Sequence, residues 1–158
     1  MSSASTVVRG VTEARGSYNK YAAPQAAGGA FTLPLLERAA RDIALDAGDR
    51  PIIIADYGSS QGKNSLKPMR AAIAVLRTRL SGRRPICVVH IDVAENDFST
   101  LFDVLDTAPD SYLFDDADVY PSAVGRSFYR AVLPPGHVDL GWSSFAAVLG
   151  PIPRGWCG

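Results

Sequence analysis

Short β-branched runs alternate along this chain with apolar stripes at helical spacing, and that alternation predicts strands and helices in turn. Residues 51–55, Pro51-Ile52-Ile53-Ile54-Ala55, form an apolar run bounded by breakers, which predicts a strand buried on both faces of a parallel sheet. Leu66, Met69, Ile73, Leu76 and Leu80 then recur at steps of three, four, three and four, with Arg70, Arg77 and Arg79 off the stripe. That spacing predicts an amphipathic helix ending at Gly82, with the stripe facing the core. A second strand is predicted over residues 86–91, a short helix over residues 98–105 and a third strand over residues 138–140.

Upstream, Pro34 suits a first helical turn, and Leu35, Leu36, Ala39, Ala40 and Ile43 keep helical spacing before Gly48, which predicts a helix over residues 32–47. Residues 1–30 are small, polar and rich in glycine and alanine, and read as an arm. Within it, Ser17-Tyr18-Asn19-Lys20-Tyr21 and Gln25 cluster groups that a plain linker does not need. Strands alternating with helices predict the α/β class: an open, mostly parallel sheet over residues 31–149, with a tail at residues 150–158.

Composition narrows the partners. Apolar residues make up 47% and charged residues 20% of the 158, an ordinary globular balance that excludes a disordered chain. The formal net charge is zero and no dense basic run compensates locally, so neither nucleic acid nor an anionic membrane is an expected partner. Arg83-Arg84 reads as a short solvated pair. Cys87 sits inside an apolar run, far from Cys157, and reads as a buried structural thiol; metal-ligand spacing is absent. Nothing resembles a signal peptide or a membrane span, so a cytoplasmic location is expected. Arginine (13) far outnumbers lysine (3), a bias that suggests GC-rich bacterial coding.

In an open parallel sheet, ligands bind beyond the carboxyl ends of the strands. Both predicted strands end in candidate chemistry: Asp56-Tyr57-Gly58-Ser59-Ser60-Gln61-Gly62-Lys63-Asn64 after the first, and Asp92-Val93-Ala94-Glu95-Asn96-Asp97 after the second. A phosphate-binding P-loop needs four residues between its glycines and Lys-Ser/Thr after them, whereas Gly58 and Gly62 enclose three and Asn64 follows Lys63. A dinucleotide fingerprint needs a third glycine, which the loop lacks. S-adenosylmethionine has no phosphate to cradle, so a glycine turn, one strand-terminal acid and a second acid for the ribose hydroxyls suffice, and Asp56 and Asp92 stand at those posts. Glycine turns flanked by acids are also common in loops with no ligand, so the pattern alone leaves both readings open.

The string at residues 56–65 resembles the Asp-Leu-Gly-Cys-Ser-x-Gly-x-Asn-Thr loop of the SABATH methyltransferases, the salicylate, benzoate, jasmonate and theobromine methylating family. Ser17-Tyr18 with Gln25 is similar to the family's amino-terminal Ser-Tyr-(x6)-Gln. Asn96-Asp97-Phe98-Ser99-Thr100-Leu101-Phe102 resembles its Asn-Asp-Phe-Asn-Thr-Leu-Phe, Gly125-Arg126-Ser127-Phe128-Tyr129 its Gly-Ser-Phe-Tyr, and Trp142-Ser143-Ser144-Phe145 its His-Ser-Ser-Tyr. The five matches keep the family's order.

The resemblance implies a Rossmann-like sheet of the class I methyltransferase type, cut short, that binds S-adenosylmethionine and transfers its methyl group to a small-molecule carboxylic acid or a related oxygen or nitrogen. It implies that Asp56 and Gly58 border the cofactor's methionine end with Asn64 nearby, that Asp92 and Val93 meet the ribose, and that Ser127 and Phe128 flank the adenine. Tyr18 and Gln25 would touch cofactor and substrate, with Phe145 and Leu149 on the substrate side. A carboxylic acid is already ionised at neutral pH, so no catalytic base is expected, and His90 and His137 read as core or surface histidines. Tyr21, Ala22, Phe145 and Leu149 depart from the family's usual residues and leave the acceptor open.

Family members run to more than twice this length, so the expectation is a fragment of a longer enzyme, or a minimal relative whose missing walls come from a partner. An early sheet edge favours a homodimer. A non-catalytic cofactor-binding or dimerisation module and a dinucleotide-dependent oxidoreductase are the alternatives.

Overall fold

The two apolar runs pair with each other at the centre of one sheet. The computed structural model describes residues 23–80 and 83–144. In chain order the elements are α1 (Ala23–Asp42), β1 (Ile52–Tyr57), α2 (Leu66–Arg79), β2 (Ile86–Asp92), α3 (Phe98–Thr107), a single 3-10 turn (Tyr112–Phe114), β3 (Val119–Gly125) and β4 (Leu140–Ser143). The strand order is β3-β2-β1-β4 and every pairing is parallel, so the expected α/β class is observed. Among the described residues, no helix is long and apolar enough to cross a membrane.

Register decides which side chains share a face. Ile52 pairs with Ile86 and Ile54 with Val88, and these four pack with Leu66, Met69 and Leu76 under the helices. The same alternation puts Asp56 and its partner His90 on that helix-covered face, with Asp92 two residues on. The opposite face carries a smaller cluster of Ala55, Val89, Ile91 and Phe128, backed by Val132, Leu133 and Val138 from the segment after β3. Cys87 lies on this thinner side beside Tyr120, which is half exposed, so the thiol is only partly buried rather than enclosed as expected.

Four further expectations need correcting. The first helix begins at Ala23, not residue 32, and ends at Asp42, so Pro34 lies inside it and part of the expected arm is helical. Packing of Leu36 and Ala40 into the core, together with the Arg79 guanidinium donating to the carbonyls of Ala40 (2.7 Å) and Ile43 (2.8 Å), fixes this helix against α2 despite its breakers. The third strand, Val119–Gly125, was not anticipated; its Pro121 is tolerated because β3 is an edge among the described strands. The strand expected at residues 138–140 starts at Leu140 and is the fourth.

Finally, Arg84 is buried rather than solvated, donating to the carbonyls of Arg50 (2.6 Å) and Asp46 (2.9 Å) and to the Asp46 carboxylate. Arg83 does stay outside, paired with Asp118. A related clamp holds β4: Asp139 accepts two bonds from Arg50 and one from the Ile53 backbone N–H at 2.8 Å. These arginines fasten the strand-entry end and leave the opposite end free for ligand chemistry.

Ile54 is fully buried at the centre of the larger cluster, so Ile54→Ala is expected to lower unfolding free energy by about 2–5 kcal/mol in urea titrations, with no change of fold.

Candidate cofactor-binding site

At the carboxyl ends of β1 and β2, residues 58–65 turn back over the sheet. The backbone N–H groups of Gly58 and Ser59 both donate to the Ile91 carbonyl, at 2.7 and 3.3 Å, which folds the turn across the end of β2. Gly58 and Gly62 have φ of 81° and 86°, and Ser60 has φ of 49°. A Cβ at Gly62 would also lie 3.3 Å from Leu101 Cγ, so both backbone conformation and space require glycine there.

Asp92 fastens this turn from the neighbouring strand. Its Oδ2 accepts from the Ser60 N–H at 2.7 Å and its Oδ1 from the Val93 N–H at 2.8 Å. Asn96 donates to the Ser60 carbonyl at 2.7 Å, and Asp97 caps α3 through the Thr100 N–H and hydroxyl. The Asn96-Asp97 pair therefore shapes the turn, a role that the sequence did not disclose.

Asp56 is 2% exposed and its Oδ2 accepts from the Ser65 hydroxyl at 2.5 Å, with His90 Nδ1 at 2.9 Å. His90 Nε2 meets the Tyr112 hydroxyl, also at 2.9 Å. Burial raises the Asp92 carboxyl above its ordinary range, against the two backbone donors, and the nearby Asp56 charge adds to the rise. Burial raises Tyr112 as well, again with Asp56 contributing, so its hydroxyl keeps its proton at neutral pH.

Asp56, Gly58 and Asn64 line one small, solvent-open crevice, together with Ser59, Ser60 and Trp142. Asp92 and Val93 adjoin it through Ser60. The two carboxylates thus stand on the same face and at the same edge of the sheet. Ser127 and Phe128 follow β3, and the Phe128 ring packs on the thinner face, edge-on to Tyr57 with centroids 6.3 Å apart. Gln25 lies within α1, where only the backbone is described, and Tyr18, Phe145 and Leu149 lie outside the described residues. His137 is exposed, with Nδ1 3.1 Å from the Pro135 carbonyl. His90 is the residue that sequence reasoning passed over, because its partners Asp56 and Tyr112 are 34 and 22 positions away.

The hydroxyls of Ser59 and Ser60, two residues that line the crevice, are buried without a protein partner. Polar groups left this way suit a polar ligand. A glycine turn and two carboxylates at the carboxyl edge of a parallel sheet stand where ligands bind in open α/β domains.

Comparison with known proteins identifies the kind. Residues 5–152 match the family of SAM-dependent carboxyl methyltransferases. The methyltransferase LUC1 of a Fusarium species is 34% identical over 137 residues, covering 83% of this chain and 36% of that protein. The methyltransferase FUS9 of Gibberella fujikuroi is 33% identical over 133 residues, with the same coverage. The chain belongs to the SAM-dependent carboxyl methyltransferase family, and it spans just over a third of the length of these relatives. Both relatives are fungal, so they lend no support to a bacterial source. A solved loganic acid methyltransferase with SAH has the same fold, with a TM-score of 0.69 at 21% identity over 84% of this chain and 38% of that one.

The raised Asp92 carboxyl has a consequence for stability. A carboxyl that holds its proton more tightly when folded contributes stability that is complete below the unfolded value of 3.8 and is lost as pH rises through the folded value. Asp92→Ala is therefore expected to be more destabilising at pH 4 than at pH 7, as measured by urea unfolding at the two values.

Proposed function

We propose that this chain forms the cofactor-holding part of an S-adenosylmethionine-dependent methyltransferase acting on the carboxylate, or a related oxygen or nitrogen, of a small molecule. The observation that carries the reading is the link from Asp92 to the Ser60 N–H, which ties the second strand's acid to the glycine turn whose residues line the crevice. Family membership and the ligand-compatible orphan hydroxyls support it.

In this reading Asp92, with lone pairs left on both oxygens, accepts hydrogen bonds from the ribose hydroxyls, and Val93 lies against the sugar. Asp56, Gly58 and Asn64 receive the amino-acid end, where the carboxylate of Asp56 attracts an ammonium group. Ser127 and Phe128 border the adenine, and Tyr18 and Gln25 contact cofactor and substrate, with Phe145 and Leu149 on the acceptor side. S-adenosylmethionine supplies a sulfonium methyl group, which an ionised acceptor carboxylate can attack without a base from the protein. The residues' contribution is alignment, which can remove several kcal/mol from the barrier, on the order of the lower part of the 7–11 kcal/mol available to ideal positioning.

The thinner face beside the half-exposed Tyr120 of β3 suits a second copy of the chain, and a homodimer in the cytoplasm belongs to this reading. Sedimentation velocity at micromolar concentration is expected to give twice the 16.8 kDa chain mass; a single species of one chain mass rules the dimer out.

Isothermal titration of the chain with S-adenosylmethionine and S-adenosylhomocysteine is expected to show saturable one-site binding to both. Asp92→Ala should weaken each by about 100-fold, the loss of two charge-assisted hydrogen bonds. Absence of binding by the wild-type chain refutes the proposal, and binding without methyl transfer to any carboxylic acid reduces it to a cofactor-binding module.

A further inference from the structure

His90 is fully buried on β2, joins two polar groups from different elements, and has no part in the methyl-transfer reading above. A buried imidazole between a carboxylate and a phenol is not inert packing, because each of its nitrogens is committed to a directional bond.

The proton positions follow from the partners. The Tyr112 hydroxyl is 1% exposed, and its proton needs an acceptor; His90 Nε2, at 2.9 Å, is the one beside it. With Nε2 accepting, the neutral ring carries its proton on Nδ1 and donates it to Asp56 Oδ2 at 2.9 Å. Ser65 donates to the same oxygen. Oδ2 is thus saturated by two donors from the protein, while the Asp56 side chain borders the crevice. The result is a carboxylate anchored through Oδ2 at the wall of the crevice.

We infer that His90, held by Tyr112, is a positioning residue that fixes the orientation of Asp56 toward the cationic amino-acid end of the cofactor. The inference rests on the proposed cofactor reading and adds to it a three-member chain from the helical turn Tyr112–Phe114, through β2, to the end of β1. The chain also makes a selective claim: it acts on the part of the ligand that meets Asp56 and not on the adenosine part held by Asp92.

That selectivity gives the test. S-adenosylhomocysteine carries the amino-acid end, whereas 5′-methylthioadenosine has the same nucleoside and lacks it. Isothermal titration of the wild-type chain, His90→Leu, His90→Asn and Tyr112→Phe with both ligands separates the roles, with circular dichroism confirming the fold of each variant. His90→Leu is expected to weaken S-adenosylhomocysteine by about tenfold or more and to leave methylthioadenosine within twofold, as expected for loss of a hydrogen bond to a charged group. His90→Asn, whose amide can place an N–H near the Nδ1 position, should restore most of the affinity. Tyr112→Phe, which removes one oxygen, should weaken S-adenosylhomocysteine alone by about threefold, and it carries the test if His90→Leu does not fold. Equal loss for both ligands, or no loss for either, overturns the inference while wild-type binding leaves the functional reading standing. Failure of the wild-type chain to bind either ligand overturns both.

Discussion

The site depends on how two carboxylates are kept inside the protein at the ends of adjacent strands. Burying an acid is costly unless donors meet it, and each acid here has its own set. Asp92 takes two backbone N–H groups, one from its own chain turn and one from Ser60. Asp56 takes a hydroxyl from Ser65 and an imidazole N–H from His90. Because the donors come from the glycine turn and the opposite strand, satisfying the acids also builds the turn. Structure and candidate chemistry are therefore the same set of hydrogen bonds.

The remaining architecture serves this edge. Arginines clamp the strand-entry end, where Arg50 holds Asp139, Arg84 holds Asp46 and Arg77 reaches Asp116 and the carbonyls of Arg84 and Asp118. The helix-covered face supplies most of the apolar core, and the opposite face only a small cluster. Ridged packing on one side and a thinner cover on the other leave the carboxyl edge as the place where polar side chains converge on a solvent-open crevice.

Legibility followed the locality of the signal. The strands at Ile52 and Ile86 and the helices at Leu66 and Phe98 began where, or within one residue of where, their apolar patterns predicted, since each is defined by its own residues. The strand at Val119 holds Pro121, a residue that a strand tolerates at an edge position, which only the assembled sheet reveals. The helix from Ala23 was shortened in the sequence reading because Gly28, Gly29 and Pro34 are breakers by local preference, while packing on α2 overrides preference. Of the candidate site, Asp56, Gly58, Asn64 and Asp92 were named from the strand ends and the family resemblance, and the first three line the crevice. The bonds of His90 were not legible, nor was the burial of Arg84 at the opposite end of the sheet, because a buried polar residue declares its role only through partners distant in the chain.

A crystal structure of the chain with S-adenosylhomocysteine tests the central claim most directly. The account predicts the ribose hydroxyls within hydrogen-bonding distance of the Asp92 carboxylate and the amino group beside Asp56, with the glycine turn retained over Ile91. A ligand contacting neither acid contradicts it.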